Sequence, residues 1–177
     1  MRIVGGTHKS RIIRPAKFFK DRPTTDMAKE ALFNILNNNF DFEDIEVLDL
    51  FSGTGSISYE FASRGCNNIT CVEKNFKYTE FIRKTASDFG FTSHKIIKSD
   101  VFKYLAKSKN KFDIIFADPP YDLPELIEIP DYIFNNDILN NEGLLIIEHP
   151  DKISFSRHPN FFEHRNYSRV NFSFFRL

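Results

Sequence analysis

The chain has no tryptophan and only two cysteines, and none of its apolar runs approaches the ~20 residues of a membrane span. With 21 phenylalanines and no indole, the core is expected to rest on benzyl groups. Cys66 and Cys71 are too few for a disulfide scaffold or a cysteine-based zinc site, so they are read as reduced structural thiols. The five histidines show no metal-binding spacing, and no metal is expected. The basic N-terminal stretch lacks a hydrophobic segment, which predicts no secretory signal and a cytoplasmic protein. Net charge is lacking too. The 24 Lys and Arg balance 24 Asp and Glu, which excludes the uniformly basic character of a histone-like nucleic-acid binder. What remains, 41% hydrophobic and 27% charged residues in a chain of 177, suits one ordinary globular domain over 1–177.

The neutral total hides a segregation. Residues 1–20 carry six basic side chains and no acid, whereas 113–148 carry nine acids and neither Lys nor Arg. The tail from His149 is again basic, at +3. A clustered basic arm binds a polyanion locally even on a neutral protein, because phosphate contacts act within about one Debye length. Lys9, Arg11, Arg14 and Lys17 are the candidate phosphate contacts.

From Glu46 onward, short apolar runs alternate with amphipathic ones. Candidate strands are 47–51, 69–73, 95–98, 112–117 and 144–148, with helices near 56–64, 76–89, 101–107 and 130–140. That alternation predicts βαβ units and a parallel sheet covered on both faces. Residues 161–165 and 170–176, flanking 166–168, read as an antiparallel β-hairpin. Before the first strand, 2–4 and 11–13 form a candidate small hairpin around Gly5-Gly6. Thr24-Thr25-Asp26 then opens a helix to about Asn37, with Ala28, Leu32, Ile35 and Leu36 on its buried face.

Four strand ends carry the candidate chemistry. Val47-Leu48-Asp49-Leu50-Phe51-Ser52-Gly53-Thr54-Gly55 is a strand running into a glycine loop and then a helix. Glycines there permit positive φ and close approach of a ligand to the backbone. Asp49 beside the loop would repel a pyrophosphate and suits a ligand carrying positive charge, such as the amino-acid end of S-adenosylmethionine. Glu73, ending the second strand, is placed to accept from ribose hydroxyls. Asp100, ending the third, suits the adenine amino group with Val101 or Phe102 against the base, or a helix N-cap. The fourth strand ends in Asp118-Pro119-Pro120-Tyr121. The two prolines hold the chain extended and remove N–H donors, leaving the Asp118 carboxylate and the Pro119 carbonyl as paired acceptors for an exocyclic amino group. Tyr121 adds an aromatic face for a planar base, a contact of ~1–3 kcal/mol.

Together, LDLFSGTG, Glu73 and DPPY resemble a Rossmann-like class I methyltransferase acting on a planar amine. Arg2-Ile3-Val4-Gly5-Gly6, then Arg22-Pro23-Thr24-Thr25-Asp26 and Lys29-Glu30-Ala31-Leu32-Phe33-Asn34, resemble the bacterial small-subunit ribosomal RNA guanine-N2 methyltransferases of the RsmD type. The similarity covers nearly the whole chain and weakens after Pro150. It implies an α/β fold: a mostly parallel seven-stranded sheet with helices on both faces, a C-terminal antiparallel hairpin and an N-terminal extension over 1–45. Residues 46–177 would form the catalytic core. The implied reaction moves a methyl group from S-adenosylmethionine, leaving S-adenosylhomocysteine, to N2 of a guanine in 16S ribosomal RNA, guanine 966. The implied enzyme is a monomer working on an assembled or assembling small subunit. By motif, Asp49, Phe51, Ser52, Gly53, Thr54, Gly55, Glu73, Lys74, Asp100, Val101 and Asp118 would hold the cofactor, with Arg22, Thr24 and Thr25 packed over it. Asp118, Pro119, Pro120 and Tyr121 would hold the acceptor. One departure stands in the basic hairpin, where Lys9-Ser10-Arg11 replaces the family's Arg-Gly-Arg turn. Two other readings remain at this stage: methylation of an adenine N6 or a glutamine amide, for which Asn before the double proline is commoner, and a module that binds RNA or cofactor without catalysis.

Overall fold

The computed structural model describes residues 1–19 and 24–177. Strands β1 (Glu46–Leu50), β2 (Asn68–Glu73), β3 (His94–Lys98), β4 (Phe112–Ala117) and β5 (Leu139–His149) run parallel. Strand β7 (Val170–Phe175) inserts antiparallel between β5 and β6 (Phe161–Tyr167), giving the order β3-β2-β1-β4-β5-β7-β6. The helices are α1 (Asp26–Asn37), α2 (Ser56–Ser63), α3 (Phe76–Asp88), α4 (Val101–Leu105) and α5 (Ile129–Asn135). The expected mostly parallel sheet with an antiparallel C-terminal hairpin is therefore present.

Strand residues divide by alternation between two cores, as a sheet buried on both faces requires. Val47, Ile69, Ile114, Phe116, Ile146 and Phe172 pack with Leu32, Phe33 and Leu36 of α1, Ile57 and Phe61 of α2, and Ile82 of α3. Leu48, Leu50, Val72, Ile115 and Ile147 pack with Val101 and Leu105 of α4 and with Ile129 and Ile133 of α5. Phenylalanine supplies the contacts between elements: Phe33 meets Phe61 edge-on at 4.7 Å. Each such fully buried ring contributes roughly 1.5–3 kcal/mol.

Three expectations need correction. The helix anticipated over 130–140 stops at Asn135, because Asp137 turns left-handed (φ 52°) and Leu139 already pairs with Phe112 in the sheet. The C-terminal turn is tighter than anticipated: Tyr167 pairs with Val170, so only Ser168 and Arg169 make it, with Ser168 at φ 63°. In α1, Ile35 is only half-buried, while Lys29 and Phe33 join the buried face.

The N-terminal hairpin forms as expected, with Arg2 bridging Ile12 and Ile3 N–H donating to Arg11 O at 3.0 Å. It lies along α2. Gly6 (φ 74°) seats the turn against the helix end so closely that a Cβ there would fall 1.8 Å from the Ser63 carbonyl oxygen. Ser10, where the family's turn has glycine, takes φ 72° itself, so the turn persists with a left-handed serine, a strain of about 1 kcal/mol.

Candidate active site

The carboxyl ends of β1, β2, β4 and β5 converge on one edge of the sheet, the position at which open α/β sheets bind ligands. The β1 loop is built from three left-handed residues, Phe51 (φ 56°), Gly53 (φ 51°) and Gly55 (φ 78°). At Gly55 the requirement is double, since a Cβ would also fall 2.7 Å from the Tyr59 ring. Ser52 pins the loop by donating to Asp49 O at 2.6 Å, and Gly53 N–H donates to Glu73 Oε2 at 3.0 Å. Thr54 is buried and its hydroxyl donates to Met1 Sδ at 3.3 Å. Helix α2 starts after Gly55, which offers no side-chain cap, and the Ser58 N–H in its first turn is taken by the Asp49 carboxylate, so the N–H groups of Ser56 and Ile57 are the ones left for a ligand.

The buried hydroxyl of Ser56, at the head of that helix, has no hydrogen-bond partner among the described residues. An orphaned donor beside a glycine-lined backbone cradle, with Glu73 at the next strand end, fits the amino-acid and ribose portions of a nucleoside cofactor. Glu73 also accepts from Asn75 N–H at 2.7 Å, so the carboxylate that faces the loop is itself fixed.

Asp49 sits differently from expectation. It is 2% exposed, on the α2 face of β1, and accepts from the Ser58 hydroxyl. Burial pushes its carboxyl up to about 7. In this placement Asp49 supports the loop from below, through Ser58 and Ser52. Asp100 caps α4 by accepting from Lys103 N–H at 3.2 Å, and its other oxygen lies 3.5 Å from Lys74 Nζ. Val101 is buried in the core, so the apolar surface beside Asp100 is Phe102, which faces Phe51 and packs on Tyr132 at 4.9 Å.

Asp118 is brought to the loop by the sheet itself. Its N–H reaches Leu50 O at 3.5 Å, extending the β1–β4 pairing one residue beyond the strands and setting Asp118 beside Phe51. Pro119 is buried, Pro120 is exposed, and the Leu123 N–H to Pro120 O bond at 2.9 Å turns the chain just after Tyr121. The Tyr121 hydroxyl donates to Glu148 Oε1 at 3.2 Å, and burial, then the Glu148, Asp118 and Asp151 carboxylates, keep the phenol protonated.

Two residues of the N-terminal segment reach this edge or its border. Thr24 Oγ1 donates to Glu148 Oε2 at 2.8 Å, while Thr25 serves as the N-cap of α1, accepting from Ala28 N–H. Arg22 lies outside the described residues. Sequence reasoning missed Glu148 as a member of the site. Its signal was an acid closing the apolar run Leu144–Ile147, placed like Glu73 and Asp118 at a strand's carboxyl end.

The basic residues divide between the two edges of the sheet. The hairpin tip docks on the C-terminal end of α2, where Thr7 N–H donates to Ser63 O at 2.7 Å, and Arg11 lies over Phe89 at 5.3 Å. Ser63 and Phe89 both precede strands, so Lys9 and Arg11 sit at the amino edge, about 12 Å of helix away from the glycine loop. Arg14 and Lys17 lead back toward the site, since Phe19 stacks on Tyr78 in the first turn of α3 at 4.2 Å. No group of three His, Cys, Asp or Glu among the described residues is gathered as for a metal, and none of their helices is long and apolar enough to cross a membrane.

A family model described as Conserved hypothetical protein 95 matches residues 1–176. The chain is 30% identical to Ribosomal RNA small subunit methyltransferase D of Buchnera aphidicola over 154 residues, covering 87% of this chain and 78% of that one. It is 28% identical to the protein of the same name in Escherichia coli, covering 84% and 74%. Among solved structures, yhhF of Escherichia coli superposes with a TM-score of 0.86 at 23% identity over 99% of this chain and 96% of that one. SMU.776, solved in complex with SAH, gives 0.68 at 17% identity over 84% and 49%. The match spans both the N-terminal hairpin and the strand-end motifs, and the chain belongs to the Conserved hypothetical protein 95 family, that of the RsmD-type methyltransferases.

Proposed function

We propose that the chain transfers a methyl group from S-adenosylmethionine to the exocyclic N2 of a guanine in small-subunit ribosomal RNA, guanine 966 by resemblance. The observation that carries this reading is the seating of Asp118-Pro119-Pro120-Tyr121 against the glycine loop through the Asp118–Leu50 backbone contact. The relatives named small subunit methyltransferase D support ribosomal RNA as the substrate class.

When bound, S-adenosylmethionine supplies an electrophilic methyl sulfonium. The Ser56 hydroxyl and N–H at the head of α2 and the Glu73 carboxylate would hold its two ends, and Phe51 and Phe102 would flank the adenosyl group. The Asp118 carboxylate and the Pro119 carbonyl accept the two N–H bonds of the amine, which turns its lone pair toward the methyl carbon. Positioning of this kind contributes up to ~7–11 kcal/mol of a barrier. Guanine presents N1–H beside its amino group, so a site edged by carboxylates suits it better than adenine, whose N1 is an acceptor. A base inside a stacked helix cannot reach Asp118, so the guanine must be splayed out onto Tyr121. Arg14 and Lys17 stand on the side of the site where its flanking phosphates would pass.

The test is nucleoside analysis of unmethylated small subunits incubated with the protein and labelled S-adenosylmethionine. The expected product is N2-methylguanosine. Label in N6-methyladenosine, or in no nucleoside, would refute the proposal.

A further inference from the structure

Glu148 belongs to none of the motifs above, yet three segments meet on it: the loop after β4, the end of β5 and the entry to α1. Its side chain is 4% exposed, with one oxygen accepting from Tyr121 at 3.2 Å and the other from Thr24 at 2.8 Å. These partners lie 27 residues and 124 residues away in sequence.

We infer that Glu148 is a positioning residue for the methyl acceptor, fixing the Tyr121 ring on which the base stacks and tying the chain before α1 to the same point. The inference rests on the proposed reaction at Asp118. Tyr121 is 40% exposed and follows two prolines, so neighbouring side chains cover only part of its ring. A hydroxyl held by a buried carboxylate removes the remaining freedom, and the ring becomes a fixed platform rather than a mobile one. A stack onto a fixed ring avoids the entropy of ordering it on each binding event. Because the same carboxylate also holds Thr24, the acceptor loop and the entry to α1 cannot shift independently. Both hydroxyls donate, so Glu148 uses both carboxylate oxygens and a shorter side chain would release both segments.

The experiment compares Glu148→Ala, Glu148→Gln and Tyr121→Phe with the wild type. It measures methyl transfer against RNA concentration and S-adenosylhomocysteine affinity by calorimetry. Glu148→Ala should raise KM for RNA about 5- to 160-fold, the range for loss of one base stack, with cofactor affinity retained. Glu148→Gln, whose amide accepts from one hydroxyl and donates to the other, should return KM to within about threefold of wild type. Tyr121→Phe keeps the ring and loses its anchor, so KM rises in the same direction. The double variant Glu148→Ala with Tyr121→Phe should be no worse than Glu148→Ala alone, since the contact that Tyr121→Phe removes is already lost in Glu148→Ala. An unchanged KM in Glu148→Ala and Tyr121→Phe overturns the inference and leaves the proposed reaction standing. A rise in KM matched by an equal loss of cofactor affinity also overturns it, because that marks a general collapse of the site. A wild-type protein that methylates no RNA overturns both.

Discussion

Replacing Glu60 by glutamine should detach the basic hairpin from the body of the protein. The Glu60 side chain is fully buried in α2 and gathers three donors: Val4 N–H at 2.6 Å, Lys29 Nζ at 3.2 Å and the Arg64 guanidinium. Lys29, only 1% exposed, also donates to the Arg2 carbonyl at 2.5 Å, so both cation and anion hold the first hairpin strand. Glutamine preserves the shape and one acceptor but leaves two cations facing an amide. Breaking a buried ion pair from one side costs about 3–5 kcal/mol. Asp26 lies 3.8 Å from Lys29 and partly compensates, which places the expected loss near the low end, at about 3 kcal/mol. For a chain of this length that lowers the melting temperature by roughly 6–12 °C. Urea and thermal unfolding followed by circular dichroism measure it. Adding Lys29→Met should recover part of the loss, because the uncompensated ammonium is then gone. A Glu60→Gln protein melting within about 2 °C of wild type would refute the idea that a buried charge cluster anchors the hairpin.

Two further outcomes follow from the same geometry. Asp49 is held up at about 7 by burial, against an ordinary 3.8, so the folded state retains a proton that the unfolded chain releases. Its contribution is complete below about pH 4 and lost as pH rises through 7, up to roughly 4 kcal/mol. Asp49→Asn should flatten stability between pH 4 and 7, and an unchanged pH profile in chemical denaturation would contradict this. For RNA binding, each phosphate contact contributes about 0.7–0.9 to the slope of log affinity against log salt. Replacing Lys9, Arg11 and Arg14 together should therefore lower that slope by up to about 3 in filter binding at graded salt, and an unaltered slope would remove the hairpin from the interface.

Local patterns announced most of the fold. The alternation of short apolar runs with amphipathic ones located the five parallel strands, most plainly β1, β4 and β5, because strands buried on both faces leave little choice of residue. The glycine loop and Asp118-Pro119-Pro120-Tyr121 were legible for a similar reason: backbone geometry at a strand end admits few residue types. Glu60 was not legible, since an acid in an amphipathic helix reads as solvated until the hairpin that covers it is placed. Glu148 escaped for want of a neighbour in sequence, its partners being Thr24 and Tyr121. Asp49 was noticed as an acid beside the loop, but the side of the strand it faces depends on α2 bringing Ser58 over it. The basic arm was visible as a charge run, yet only its docking on Ser63 shows that Lys9 and Arg11 stand at the far edge from Asp118.

The central claim is that Asp118 holds the amine that receives the methyl group. Its most direct test pairs two measurements on Asp118→Ala: methyl transfer to unmethylated small subunits, and S-adenosylmethionine binding by calorimetry. The account predicts that transfer is abolished while cofactor affinity stays close to wild type. Full transfer by the variant would contradict it.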